Sequence, residues 1–191
     1  HKSSRGLGDV YKRQDLKSSE VEKYSDLMSE SQHLVAADTL AAVNIPSVCR
    51  FLDVGGGKGT FVSELKKIYP KVDAAVFDLP GSHSETSGHR CIIGSFKEDE
   101  LPAGYDIISL VRILYDHRDE TIRDLLGKAY GALDKGGRLI VSEPMLGADR
   151  PTLWGDVYFA MYTLAMSTGK TRSPDQVSRF IKDAGLSLIH I

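Results

Sequence analysis

Short apolar runs alternate with longer stretches of helical period along most of this chain. Phe51 to Val54 reads as a buried parallel strand that delivers Asp53 and then Gly55, Gly57 and Gly59 into a tight turn. From Thr60 to Tyr69 apolar residues recur at Phe61, Val62, Leu65 and Ile68, the spacing of one helix face, and Pro70 ends the run. Ala74 to Phe77 predicts a second strand ending in Asp78, and Arg90 to Ile93 a third. A turn from Pro102 to Gly104 announces a fourth, Asp106 to Val111. Asp119 to Leu133 predicts a helix with Ile122, Leu125, Leu126, Ala129 and Leu133 on one face, stopped by Lys135, Gly136 and Gly137. Arg138 to Ser142 is the fifth predicted strand. A helix follows from about Leu153 to Ser167, and a last one starts at Ser173, with Pro174 in first position and Gln176 completing a capping box. At the other end Ser19 and Glu22 form a similar box, opening a helical lead-in that runs to Pro46.

Strands and helices alternating at this spacing predict an α/β fold, a doubly wound Rossmann-like parallel sheet. Ligands of such sheets lie at the carboxyl ends of the strands, beside the first. Asp53, Asp78, Ser95, Arg112 and Glu143 all fall at or just past those ends. The glycine turn narrows the ligand. A nicotinamide or flavin site requires G-x-G-x-x-G; counting from Gly55 the last position is Thr60, from Gly56 the pattern breaks at Lys58, and from Gly57 the last position is Val62. The pattern present is D-x-G-x-G-x-G. Its leading carboxylate repels a pyrophosphate and suits a ligand with a cationic amino-acid end, and Asp78 is placed to accept from two ribose hydroxyls. S-adenosylmethionine (SAM) has both features; a glycine turn holding no ligand is the plain alternative.

Composition changes little. The two cysteines, Cys49 and Cys91, have no metal spacing, and no apolar run reaches membrane-spanning length; a reduced cytoplasmic protein without a metal is expected. His1 to Gln14 and Leu186 to Ile191 have the look of translated sequencing-adapter read-through, so the genuine segment is expected over 15–185, with a lead-in at 15–48 and the catalytic domain at 49–185. Setting aside the four bases and one acid of residues 1–14 takes the formal net charge from −2 to −5, against a nucleic-acid partner.

The segments FLDVGGGKG, VFDLP, SLVRILYDHRDE, GGRLIVSEPM and GDVYFAMYTLAMSTGKTRS together resemble the SAM-dependent O-methyltransferases related to plant caffeate O-methyltransferases. Within that family they are most similar to the bacterial carotenoid enzymes that methylate hydroxyneurosporene or demethylspheroidene. The resemblance implies a lipophilic small-molecule acceptor, peripheral membrane contact for its delivery, and a homodimer in the full-length protein. It also implies an N-terminal winged-helix domain and two further strands that this stretch lacks, hence a sheet truncated after its fifth strand, with an edge that natural sheets avoid exposing. For the cofactor it implies Asp53, Gly55 and Gly57 along the methionine end and the ribose side, Asp78 with Leu79 beside it at the ribose hydroxyls, Ser95 and Phe96 around adenine, and Arg112 near the carboxylate. Ser95 departs from the Asp of many relatives, and the stretch from Gly81 to Arg90 is too short for the helix they carry there.

Where plant relatives have His-Asp-Trp, with His as general base, this chain has Tyr115, Asp116 and His117. Glu143 matches an acid that orients the base, whereas a second such acid falls on Thr171. His117 is the base favoured by chemistry and Tyr115 the one favoured by alignment. Each has a plain reading. His117 suits a surface capping turn, Asp116 a helix cap and Glu143 a loop acid. Trp154, Tyr158, Met161, Tyr162 and Met166 repeat at helical spacing, as core packing or as one wall of a long lipophilic pocket. Besides the carotenoid reading stand an O-methyltransferase for phenols or other small hydroxyl compounds and a SAM-binding module without catalysis.

Overall fold

A computed structural model describes residues 32–82, 89–147, 156–157, 159–166 and 169–187. The Ser19–Glu22 capping box, Trp154, Tyr158 and the suspected foreign residues 1–14 and 188–191 lie outside them, as does 83–88 within the short stretch after Asp78. A helix over 32–42, α1, precedes β1 (Arg50–Val54), α2 (Thr60–Ile68), β2 (Asp73–Asp78), β3 (Arg90–Ile93) and β4 (Tyr105–Val111). A single 3₁₀ turn at Leu114–Asp116 leads to α3 (Asp119–Ala132), β5 (Leu133–Ser142), α4 (Phe159–Met166) and α5 (Pro174–Asp183).

All pairings are parallel and the strand order is β3-β2-β1-β4-β5, so the chain starts in the middle and winds outwards both ways. Alternation along the buried strands sends Leu52, Val54, Ile108 and Leu110 to a face covered by Ile122, Leu125 and Leu126 of α3 and Val177 and Phe180 of α5. Phe51, Val76 and Ile107 go to the opposite face, against Ala36 and Leu40 of α1 and Phe61, Val62 and Leu65 of α2. The five elements from β1 to β4 agree with the ranges expected from the sequence to within a residue or two at each end.

Two boundaries differ. α3 stops at Ala132, not Leu133, and the fifth strand begins at once, because Leu133 turns extended (φ −73°, ψ 139°) and pairs with Tyr105. A register irregularity between Tyr105 and Ile107 absorbs the extra residues, with Gly136 at φ +82°. The glycine pair therefore bulges a strand instead of capping a helix. The described part of the penultimate helix, α4, covers Phe159–Met166 alone, and core packing does not account for Met161: it and Leu164 are 67% and 80% exposed. The Ser173 capping box is realised in full, the hydroxyl accepting from Gln176 N–H and the Gln176 side chain from Ser173 N–H.

Candidate cofactor and active site

Asp53 points to the face of the sheet that carries α1 and α2, where an apolar side chain would be expected by alternation. Parallel register sets it opposite Ser109 of β4, and the Ser109 hydroxyl donates to Asp53 Oδ1 at 2.6 Å. Asp53 is 1% exposed, yet its Oδ2 has no hydrogen-bond partner among the described residues. A Cβ on Gly56 would collide with that oxygen, so the carboxylate lies directly beneath the turn. Burial pushes the carboxyl up to about 7; the Ser109 bond opposes the rise and the charge of Asp78 adds to it.

Gly55, Gly57 and Gly59 all have left-handed backbone, at φ +70°, +57° and +77°, which is why the glycines alternate. At Gly55 and Gly59 a side chain would also meet Ile113 and the ring of His89. Asp78 ties this turn to the end of β2: Oδ2 accepts from Gly57 N–H and Oδ1 from Leu79 N–H, both at 2.7 Å. It is 5% exposed.

Beyond β3 the backbone N–H of Ser95 donates to Asp99 Oδ2 at 2.8 Å, and the Phe96 carbonyl accepts from Lys128 Nζ at 2.9 Å. Arg112, just past β4, has φ +59°, the left-handed non-glycine residue among those described. Its N–H bonds Ser142 O at 2.8 Å, and its guanidinium reaches Gln32 Oε1 at 3.5 Å. Such a conformation at a strand end marks a place where the surroundings hold the backbone against its preference.

The turn that follows carries the candidate bases and is gripped on both sides. Glu143 Oε1 accepts from Ile113 and Leu114 N–H at 2.7 Å each, and Oε2 from Tyr115 N–H at 3.2 Å. Glu143 therefore bonds the backbone that carries Tyr115, which neither the base-orienting nor the loop-acid reading anticipates. Burial pushes its carboxyl up to about 8, opposed by the three amides, with Asp116 nearby adding to the rise. On the carbonyl side Lys170 N–H donates to Tyr115 O at 2.8 Å. The buried Arg172 donates to Leu114 O, His117 O and Lys170 O at 3.0, 2.8 and 2.8 Å and twice to Asp119 Oδ1, at 3.0 and 2.6 Å. The N-cap of α3 is Arg118, whose side chain makes no cap bond.

Tyr115 and His117 face different surroundings. Tyr115 is 3% exposed, its ring 5.8 Å from that of Tyr162 and 6.0 Å from Phe159, both on α4. His117 is half-buried and meets the edge of Phe96 at 5.2 Å, on the side where β3 ends. Thr171, at the place of the second acid, is buried and its Oγ1 has no partner among the described residues.

The donor set fits SAM. An orphaned carboxylate oxygen under a glycine turn, a second carboxylate at the next strand end and backbone that only glycine tolerates are what a cationic, ribose-bearing ligand without phosphate requires. Among the described residues no cluster of three or more His, Cys, Asp or Glu is arranged to hold a metal ion. Sequence reasoning missed Ser109 and Arg172. Ser109 is a polar residue in the apolar run IISLV, but its link to Asp53 requires the strand order; Arg172 lies beside Thr171 without a local signal.

The family model for the O-methyltransferase domain matches residues 1–187. Demethylspheroidene O-methyltransferase of Rhodobacter capsulatus is 45% identical over 172 residues, covering 88% of this chain and 44% of that protein. The enzyme of the same name from Cereibacter sphaeroides is 44% identical, at 88% and 47% coverage. Among solved structures, human N-acetylserotonin methyltransferase in complex with SAM superposes with a TM-score of 0.79 at 27% identity, covering 88% of this chain and 51% of that one. The chain thus spans about half the length of the relatives it matches. Sheet order, glycine turn and sequence agree, and the chain belongs to the O-methyltransferase domain family.

Proposed function

We propose that this chain forms the cofactor-binding and catalytic part of an enzyme that transfers a methyl group from SAM to a hydroxyl oxygen of an acyclic hydroxycarotenoid. The observation that carries the cofactor reading is the buried Asp53 beneath the glycine turn, with an oxygen left to accept. The acceptor reading rests on the 45% identity to a demethylspheroidene O-methyltransferase. It draws support from α4, which presents Phe159 and Tyr162 to Tyr115 and apolar Met161 and Leu164 outward.

When bound, SAM would supply an electrophilic methyl group on a sulfonium, transferred to an acceptor oxygen in line with the methyl–sulfur bond, which breaks to leave the neutral thioether S-adenosylhomocysteine. Asp53 and Ser109 would hold its cationic end, Asp78 with Leu79 beside it would take the ribose hydroxyls, and Ser95 and Phe96 would border the adenine. Arg112 would receive the carboxylate. Tyr115, as its phenolate, would take the hydroxyl proton from the acceptor and end as the neutral phenol; it is preferred to His117 because it faces the apolar wall of α4 whereas His117 stands against Phe96. An aliphatic alcohol is far less acidic than a phenol, so the proton leaves late, in concert with carbon–oxygen bond formation. Positioning supplies much of the acceleration, which requires the rigid turn described above.

The whole protein is read as a cytoplasmic homodimer that receives its acceptor from a membrane surface; among the described residues no helix is long and apolar enough to cross one. Residues 1–14 and 186–191 are read as foreign to the gene, and amplification across both joints from source DNA tests that. For the activity, the protein extended to the length of its relatives is incubated with SAM and a panel of 1-hydroxy carotenoids and phenols. A methoxycarotenoid is expected. Methylation of phenols alone overturns the acceptor assignment, and SAM binding without turnover on any acceptor overturns the catalytic one.

A further inference from the structure

We infer that Arg172 is a positioning residue for methyl transfer, fixing the turn that carries Tyr115 and His117 through their backbone. The inference rests on the O-methyltransferase reading for its catalytic consequence, but not for its geometry. A guanidinium has five N–H donors, and in Arg172 all five are used: two on Asp119, and one each on the carbonyls of Leu114, His117 and Lys170. The Arg172 side chain is 3% exposed, while the Asp119 carboxylate it pairs with reaches solvent. A buried charge is tolerated only when paired and hydrogen-bonded, and Asp119 provides the pair at 2.6 Å. The same bonds hold the Asp119 carboxyl below its ordinary range.

The arrangement is specific to the turn. Leu114 and His117 bracket Tyr115 and Asp116, so Arg172 holds the carbonyls on either side of that pair. Glu143 takes the N–H groups of residues 113–115 from the other side, and the backbone at Lys170, next to Arg172, bonds Tyr115 O. Arg172 itself is fixed by a parallel bridge to Met145, two residues past Glu143, through Leu146 N–H to Arg172 O at 3.0 Å. One short segment after α4 and one after β5 therefore close on the turn as a pair, and α5 starts from the same segment. A lysine has three donors and a point charge, so it cannot span Asp119 and three carbonyls together.

Two variants and two kinds of measurement test this. Arg172→Lys keeps the charge, and Arg172→Gln keeps some bonding should the lysine form fail to fold. In the protein extended to full length, kcat is expected to fall at least tenfold in both, with the SAM dissociation constant and the KM for SAM within twofold of the parent. Methylguanidine is expected to restore part of the rate in the Gln variant. Independently of turnover, amide hydrogen exchange at Ile113, Leu114 and Tyr115 is expected to accelerate at least tenfold while the amides of β1 and α2 keep their protection. If the parent itself turns over no acceptor, the functional reading fails, and exchange alone decides the positioning role. Unchanged exchange at residues 113–115, or a kcat kept by Arg172→Lys, overturns the inference. So does a uniform loss of protection and SAM affinity in both variants, which marks a general structural residue.

Discussion

Asp53→Asn separates the stability of the fold from the use of its cofactor site. The carboxyl is raised in the fold from 3.8 to about 7, equivalent to roughly 4 kcal/mol against its ionised form. A raised acid contributes stability that is whole below the unfolded pKa and is lost as pH rises through the folded one, here between about pH 4 and pH 7. Between about pH 5 and pH 8 the loss amounts to roughly 2 to 3 kcal/mol. Asparagine has no such titration. Its amide keeps an oxygen for Ser109 but places an unpaired N–H where Oδ2 lies, a pH-independent cost of about 1 to 3 kcal/mol. The difference in Tm, variant minus parent, should therefore move in the variant's favour by roughly 5 to 10 °C from pH 5 to pH 8, at about 2 to 4 °C per kcal/mol for a chain of this size. Thermal melts of both proteins without SAM, followed by circular dichroism in matched buffers at several pH values, provide the assay. Adding saturating SAM should raise the Tm of the parent and leave the variant's nearly unchanged. A difference in Tm independent of pH over that range refutes the argument that Asp53 is a buried, protonatable acid under the turn.

Other substitutions separate the remaining parts. Ser109→Ala removes the hydroxyl bonded to Asp53 and should cost about 1 to 3 kcal/mol in urea unfolding, while weakening SAM in calorimetric titration. Glu143→Gln should flatten the pH dependence of stability between about pH 4.5 and pH 8, because the parent acid, raised from 4.5 to about 8, loses its contribution as pH rises between those values. In single-turnover assays of the full-length protein Tyr115→Phe should slow methyl transfer at least tenfold and His117→Ala by less than threefold, with SAM affinity kept in both; the reverse order would assign the base to His117.

The parts of the fold legible in the sequence are those decided locally. The five strands, α2 and α3 follow from apolar period, and the Ser173–Gln176 box from side chains three residues apart that cap their own backbone. The glycine turn was legible because only glycine tolerates the backbone at 55, 57 and 59. What escaped depends on register and distance. Asp53 meets Ser109 because β1 pairs β4, and nothing local to either strand states that. Glu143 was read as acting on a base, but the 2.7 Å bonds it makes are to backbone N–H groups 29 and 30 positions earlier in the chain. Gly136 and Gly137 were read as a helix stop because two glycines after an apolar stripe usually are one; pairing of Leu133 with Tyr105 turned them into a bulge. Tyr115 and His117, two positions apart, were weighed as alternatives for one place, and a single 3₁₀ turn sends them to different surroundings.

Calorimetric titration of the chain with SAM and, separately, with NADH, repeated for Asp78→Asn, tests the central claim most directly. Saturable one-site binding of SAM, no heat with NADH, and at least a tenfold loss of SAM affinity in Asp78→Asn are predicted. Binding of NADH in place of SAM, or an Asp78→Asn variant that holds SAM as tightly as the parent, would contradict the reading of the glycine turn and its two acids as a methyl-donor site.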